Sequence, residues 1–437
     1  MMFMANSTQL INWGGMTCVK LAAGGYEALI AYEIGSNVIR LRDNKNGLEF
    51  FRYSDNNDAE VIRQSAEVWG LPTLYLPNRF ADGVLKTSDA VYQLPVNEKA
   101  PYNNHIHGFI HKRVHEVVEH NSDGNCAWVK TRYVYDENDE FFQYLPIRFV
   151  AEYTFTLSEN GLEQDICFTN NSNVVMPISI ASHTAINAPF VDGAKESDIR
   201  LTVPIGKKCE LNERCLPTEQ LKSLTMWDLE YKTGNKCPVL QVVDNDMYFG
   251  EYAELDHEKF HGVIAEDIAS GKKLCYEVSD EYKFWIIWND RGFNHYFCPE
   301  PMTAMIDAPN LSLPADVTGY REIKPGETFK SHQRFFTSFN RIYKTASKAK
   351  LYCSGGIFYF PIYFTMLYSC FSMSNVSIYG IASLYIQRSM YTGSTTNNRS
   401  FIKPEYASND PLKDSIKASQ KRVLSKGCPI SVHFPSI

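Results

Sequence analysis

Apolar and polar residues alternate with a period of two through most of the chain up to about Phe339. In Ala151–Leu157, Tyr153, Phe155 and Leu157 fall on one face. Side chains alternate across a strand, so this spacing predicts a half-buried strand. Ser158, Glu159, Asn160 and Gly161 then supply turn residues, and Leu162–Asn170 alternates again with Leu162, Ile166 and Phe168 together. Two such runs across a short polar turn predict a β-hairpin. Asn46-Gly47 marks another tight turn, ahead of Leu48–Tyr53. Lys283–Trp288 reads KFWIIW, a continuous apolar run expected of a strand buried on both faces. Pro325-Gly326 precedes a last strand, Thr328–Thr337. Helical periodicity is scarce, Glu60–Trp69 being its best short example. The pattern predicts an all-β fold, a large antiparallel sandwich or barrel.

The pattern changes near Ser338–Lys350. From Leu351 to Gln387 there is no charged residue, and Tyr, Phe, Ser and Ile dominate. That length would span a bilayer, and Lys348, Lys350 and Arg388 flank it. Pro361, Asn375 and repeated Ser dilute its hydropathy. Three readings compete: a membrane anchor, an accessory packing segment, or a sequence not selected as part of the preceding fold. After Arg388 the chain is polar and reads as disordered. The expected organisation is a β-sandwich domain over residues 1–341 and an extension over 342–437, apolar at 351–387 and polar at 388–437.

Composition narrows the classes of function. With 44% hydrophobic and 21% charged residues, the 437-residue chain can bury a sizeable core. The aromatic share, 13%, favours strands and supplies ring faces that could stack on a sugar, although core packing accounts for most of it. A net charge of −7 gives no attraction to phosphate backbones, so a nucleic-acid partner is not expected. The eleven cysteines are scattered without a Cys-x-x-Cys pair, and Cys209 and Cys215 match no zinc spacing. They read as reduced thiols, and with no secretory signal in the first residues the expected location is cytoplasmic.

Candidate chemistry lies in four places. Asn103-Asn104-His105-Ile106-His107-Gly108-Phe109 opens a cluster that continues with His111, His115 and His120. In a strand His105 and His107 would share a face and could chelate a metal, but no Cys or carboxylate at a ligand spacing completes the set, so no metal is expected. His115 and His120, among charges and Val, resemble a solvated strand. His183 follows an apolar strand, a place where a histidine is more often packed than functional. Glu300 lies between two prolines near Cys298, where desolvation would raise its pKa and make it a base near neutrality; the alternative is a loop Glu facing water. Arg79 occupies a Pro/Asn turn, as many surface arginines do.

The order of these pieces says more than any one of them. Asn78-Arg79-Phe80, then Asn104-His105-Ile106-His107-Gly108, then His183 to Asn187, then Glu300-Pro301 leading to Asp307-Ala308-Pro309-Asn310, resembles the aldose 1-epimerase (galactose mutarotase) family from the first strands to Phe339. The resemblance implies a large antiparallel β-supersandwich that interconverts the α and β anomers of a hexose by acid–base ring opening, without a cofactor. It implies Glu300 as catalytic base, His183 as general acid, and His107 and Arg79 as groups that hold the sugar. Asp246 is the candidate for the sugar-binding aspartate. The sequence departs from the family pattern in three ways: a single Gly108 before Phe109, His183-Thr184-Ala185-Ile186-Asn187 where the family has an aromatic stretch, and no clear match for that aspartate. Three other readings stay open. One is a non-catalytic carbohydrate-binding protein. Another is a hexose-phosphate epimerase, for which only Arg79, Lys112 and Arg113 offer cations. The last is a metal enzyme built on His105 and His107. Neither the identity of the sugar nor the oligomeric state follows from the motifs.

Overall fold

The computed structural model describes residues 5–339 apart from 57 and 293, and beyond them residues 343–353, 356–366 and 383–384. Contacts divide the chain into two compact units, Met1–Phe339 and Asn340–Ile437.

The first unit is built on antiparallel sheets, as the alternation predicts. Its N-terminal meander runs Ser7–Trp13, Met16–Ala23, Tyr26–Ala31, Asn37–Asp43, Leu48–Glu49. A long sheet orders Glu116–Ser122, Cys126–Tyr135, Phe149–Ser158, Gly161–Asn170, Thr328–Phe339, Lys272–Val278, Gly262–Asp267 and Ile199–Thr202. The expected hairpin is its centre: Leu157 pairs with Leu162 and Tyr153 with Ile166 across the Ser158–Gly161 turn. Tyr153, Phe155, Leu157, Leu162, Ile166 and Phe168 are all buried.

A second sheet orders Pro217–Lys222, Ile205–Leu211, Asp246–Gly250, Phe284–Trp288, Tyr296–Met302, Ile180–Ser182 and Thr73–Tyr75, with Ile186–Asn187 also paired to Tyr296–Met302. Its inner face joins the meander and the long sheet in one core, where Tyr276 meets Trp285 at 6.1 Å and Tyr75 meets Phe149 at 5.0 Å between ring centroids. A buried polar tie crosses the same interface. Gln333 accepts hydrogen bonds from Tyr276 (2.5 Å) and Ser182 (3.1 Å) and donates to Gln164 (2.5 Å). These bonds satisfy groups that would be costly to bury alone, and they fix the strand that ends at His183.

Two expectations change in detail. Leu48–Tyr53 is a strand only at Leu48–Glu49, although Phe51 adds an isolated bridge to Ile186. The periodic stretch from Glu60 forms a short helix, Ala59–Gln64, capped by the Asp58 side chain on the Val61 N–H, and then a 3-10 turn, Ala66–Val68.

In the second unit Tyr343–Cys353 pairs antiparallel with Gly356–Met366, whose Phe364 and Thr365 pair with Leu384 and Ser383. The apolar stretch 351–387 falls in part on this hairpin, and the rest of it, like the tail 388–437, lies outside the described residues. No helix among the described residues is long and apolar enough to cross a membrane.

Candidate active site

Residues i and i+2 of a strand share a face. In Tyr296–Met302 this sets Cys298 and Glu300 side by side on the outer face of the second sheet, level with Trp288 and Ile286 of the neighbouring strand. On its other side the strand pairs with Ala181 through Met302 and with Ile186 through Phe297, in one register. That register sets His183 opposite Glu300. Pro299 and Pro301 have no N–H to give, and the ladder lapses between the two pairings. The N–H groups of His183 and Ala185 instead donate to the carbonyls of Pro72 (3.2 Å) and Gly70 (2.9 Å). At this break His183 Nε2 lies 3.3 Å from Glu300 Oε1, with both side chains almost fully buried.

Burial governs the protonation of the pair. Desolvation pushes the Glu300 carboxyl well above its ordinary range, against a smaller opposing effect of the Arg79 charge. The same desolvation lowers His183 to about 4. Each group therefore favours its neutral form.

The His107 ring packs edge-on against His183 at 5.4 Å between centroids. The strand Asn104–Ile106 ends just before His107, which adopts φ +66 and donates its N–H to the Asn78 carbonyl (2.9 Å). Gly108 follows with φ +61, and a Cβ there would lie 2.0 Å from the Tyr75 carbonyl oxygen. The His-Gly step thus lets the chain cross the Tyr75–Asn78 segment at van der Waals distance. Phe109 leaves the site and stacks on Phe141 at 4.4 Å.

Arg79 lies in the short strand Arg79–Ala81, which pairs with Asn104–Ile106. It is buried, not on the surface. Glu98 holds one edge of its guanidinium by two donors, at 3.0 Å from Nε and 2.8 Å from Nη2. Asn104 donates to Glu98 (3.0 Å), so the histidine segment also braces Arg79. The Asp307-Ala308-Pro309-Asn310 segment braces the same strand from the other end: Asp307 donates its N–H to the Arg79 carbonyl (3.0 Å) and accepts from the Ala81 N–H (3.2 Å).

Four of the five expected site residues thus share one region: Glu300, His183 and His107 by direct contact, and Arg79 by the reach of its charge onto Glu300 and His107. Asp246 is placed elsewhere. It pairs with Ile287, which pairs with Pro299, so it lies one position out of step with Glu300 and faces the opposite side of the sheet. There it bonds Lys208 (2.7 Å) and lies 3.2 Å from the Tyr248 hydroxyl, in a cluster with Asp228.

The histidine cluster also disperses. His105 donates from Nδ1 to the Pro95 carbonyl (2.7 Å) and packs on Phe141, whereas His107 packs on His183. His115 is buried, bonded to Ser36 (3.0 Å) and stacked on Tyr133; the solvated reading holds for His120 alone. His111, expected in the histidine cluster, is buried 3.8 Å from Glu67, with neither ring nitrogen in a hydrogen bond among the described residues. Two site residues escape sequence reading. Glu98 carries no local mark. Trp288, 5.6 Å from His183, is hidden inside an unbroken apolar run whose parity only the sheet reveals.

Comparison with known proteins agrees with this architecture. The family model described as aldose 1-epimerase matches residues 17–335. The chain belongs to the aldose 1-epimerase family. Among solved structures, this family member is similar to a galactose mutarotase-like protein from Clostridium acetobutylicum, at 32% identity and a TM-score of 0.74, over 77% of this chain and 99% of that one. A galactose 1-epimerase from Lactobacillus acidophilus NCFM shares the fold at 14% identity, with a TM-score of 0.56 over 77% and 99% of the two chains. The plasmid form of protein LacX from Lactococcus lactis subsp. lactis is 23% identical over 282 residues, 62% of this chain and 83% of its own length. The matched span of the family model takes in Arg79, His107, His183 and Glu300 and ends before the second unit.

Proposed function

We propose that the protein is a mutarotase that interconverts the α and β anomers of a hexose. The observation that carries this reading is the buried Glu300–His183 pair, 3.3 Å apart. Ring opening of a hemiacetal removes a proton from the C1 hydroxyl and adds one to the ring oxygen. Both oxygens are bonded to C1, so adjacent base and acid groups suit them. Transfer of the Glu300 proton to His183 across the 3.3 Å contact gives the reactive form, in which Glu300, as carboxylate, takes the hydroxyl proton while His183, as imidazolium, gives its proton to the ring oxygen. The C1–ring oxygen bond breaks and C1 becomes an aldehyde. Rotation about C1–C2 and return of both protons close the other anomer. The two groups lie side by side on one sheet.

His107 and Arg79 would hold hydroxyls as charge develops, and the Trp288 ring offers an apolar face to the sugar's C–H groups. A neutral sugar fits better than a phosphorylated one. Arg79 is already matched by Glu98, Arg113 by Asp139 at 2.6 Å, and Lys112 lies 3.7 Å from Glu67. A cytoplasmic role in hexose metabolism accords with the free thiols of Cys18, Cys209, Cys275 and Cys298.

The test is polarimetry of fresh α-D-galactose and α-D-glucose with the wild-type protein and Glu300→Gln. The wild type should reach anomeric equilibrium faster than the spontaneous reaction, and the variant should lose at least about 10²-fold. A fully active Glu300→Gln protein refutes the assignment; a folded wild type that binds sugars without accelerating mutarotation makes the chain a binding protein.

A further inference from the structure

We propose that Cys298, His183 and Glu300 form a site for a thiophilic divalent cation of the zinc type, and that its occupation blocks the sugar. The blocking part rests on the assignment of His183 and Glu300 as the proton-transfer pair; the binding part does not.

The cluster is the one group of three metal-ligating side chains found among the described residues, with sulfur, nitrogen and oxygen all within 4.8 Å of one another. Its geometry suits a small tetrahedral ion. Two ligands at about 2.0–2.1 Å from a tetrahedral zinc stand about 3.3 Å apart. His183 Nε2 and Glu300 Oε1 are 3.3 Å apart. The backbone supplies rigidity, because Cys298 and Glu300 are alternate residues of one strand and His183 belongs to its neighbour. All three side chains are buried, so little rotamer freedom remains to be lost. The donor set selects the ion: a thiol with an imidazole favours zinc over magnesium or calcium, which want oxygen.

Charge also balances. The ion displaces to water the thiol proton and the proton that burial favours on Glu300, leaving a thiolate, a carboxylate and a neutral imidazole, two negative charges against two positive. The nearby Arg79 charge is offset by Glu98. Three protein ligands leave a fourth position open to water or a sugar hydroxyl. One feature sets the site apart from a resident zinc centre. A zinc-bound histidine ordinarily gives its other ring N–H to an acceptor. His183 Nδ1 has no hydrogen-bond partner among the described residues. The site is therefore one of exchangeable occupation, an inhibitor site overlapping the acid–base pair.

The experiment is a cobalt titration of the full-length chain followed by absorption, with mutarotation measured on the same samples before and after zinc. The expected result is a thiolate-to-cobalt charge-transfer band that saturates at a stoichiometric amount, is displaced by zinc, and disappears in Cys298→Ser and Cys298→Ala. Zinc should slow the wild type, and each Cys298 variant, compared with its own metal-free rate, should need at least about tenfold more zinc for the same inhibition. Retained cooperative thermal melting shows that a variant is folded; if one variant fails to fold, the other is read. Absence of the band in the wild type, or its persistence in a folded Cys298 variant, overturns the proposal. Cobalt ligation through Cys298 without any mutarotase activity supports the metal site and counts against the catalytic reading alone.

Discussion

At the scale of single residues, the proposed chemistry rests on the buried His183–Glu300 pair. Desolvation lowers His183 to about 4 and raises Glu300 well above the carboxylate range. Between those limits the pair carries one proton, and the proposed mechanism works through the tautomer with Glu300 ionised and His183 charged. The sign follows directly. Below about 4 a second proton binds and no base remains; above the raised Glu300 value the last proton leaves and no acid remains. The kcat/KM profile should therefore have its acid limb near 4, far from an ordinary imidazole, and its alkaline limb well above the ordinary carboxylate range. An acid limb near about 6.5, the free imidazole value, would show that the pair titrates independently.

At the scale of elements, the site depends on two places where regular pairing stops. Pro299 and Pro301 interrupt the ladder between Tyr296–Met302 and the segment carrying His183, and the two catalytic candidates meet in that gap. The other place is the His107-Gly108 step, which swings His107 out of its strand beneath Tyr75. Gly108→Ala should be the most damaging small substitution here. Its Cβ meets the Tyr75 carbonyl at 2.0 Å and its φ is +61, so the loop must shift. The expected cost is about 1–3 kcal/mol in stability, read from thermal or denaturant melting, with a larger loss in kcat/KM than in stability because His107 moves. A variant with wild-type melting and activity would show that this crossing does not position His107.

At the scale of the whole molecule, one core joins the meander and both large sheets, and all of it lies within the first compact unit. The family match ends within the same unit, at residue 335. A chain ending at Phe339 should accordingly fold with the same melting midpoint and the same mutarotation rate per molecule as the full chain. Loss of cooperative melting in that shortened protein would mean that the second unit contributes to the fold.

What the sequence determined by itself was local. Alternation identified the Ala151–Asn170 hairpin because each strand there has one face on the core, and burial of alternate residues writes itself into the chain. The ordered motifs were enough to single out Arg79, His107, His183 and Glu300, because each is tied to punctuation that survives in one dimension: Asn78, Gly108, the end of an apolar strand, a pair of prolines. Tertiary structure decided the rest. In KFWIIW, with no polar residue to report parity, only pairing shows that Trp285 faces the core and Trp288 faces the site. Asp246 and Glu300 look equally eligible as carboxylates, yet a one-residue difference in register sends them to opposite sides of the sheet. His115 sits among charged and valine residues that suggest solvent, but the Ser36 and Tyr133 that cover it come from distant segments. Glu98 gains its importance from an arginine nineteen residues away. Contacts between segments separated along the chain leave no local pattern, so the pairing of sheets, and not the order of residues, assembled the site.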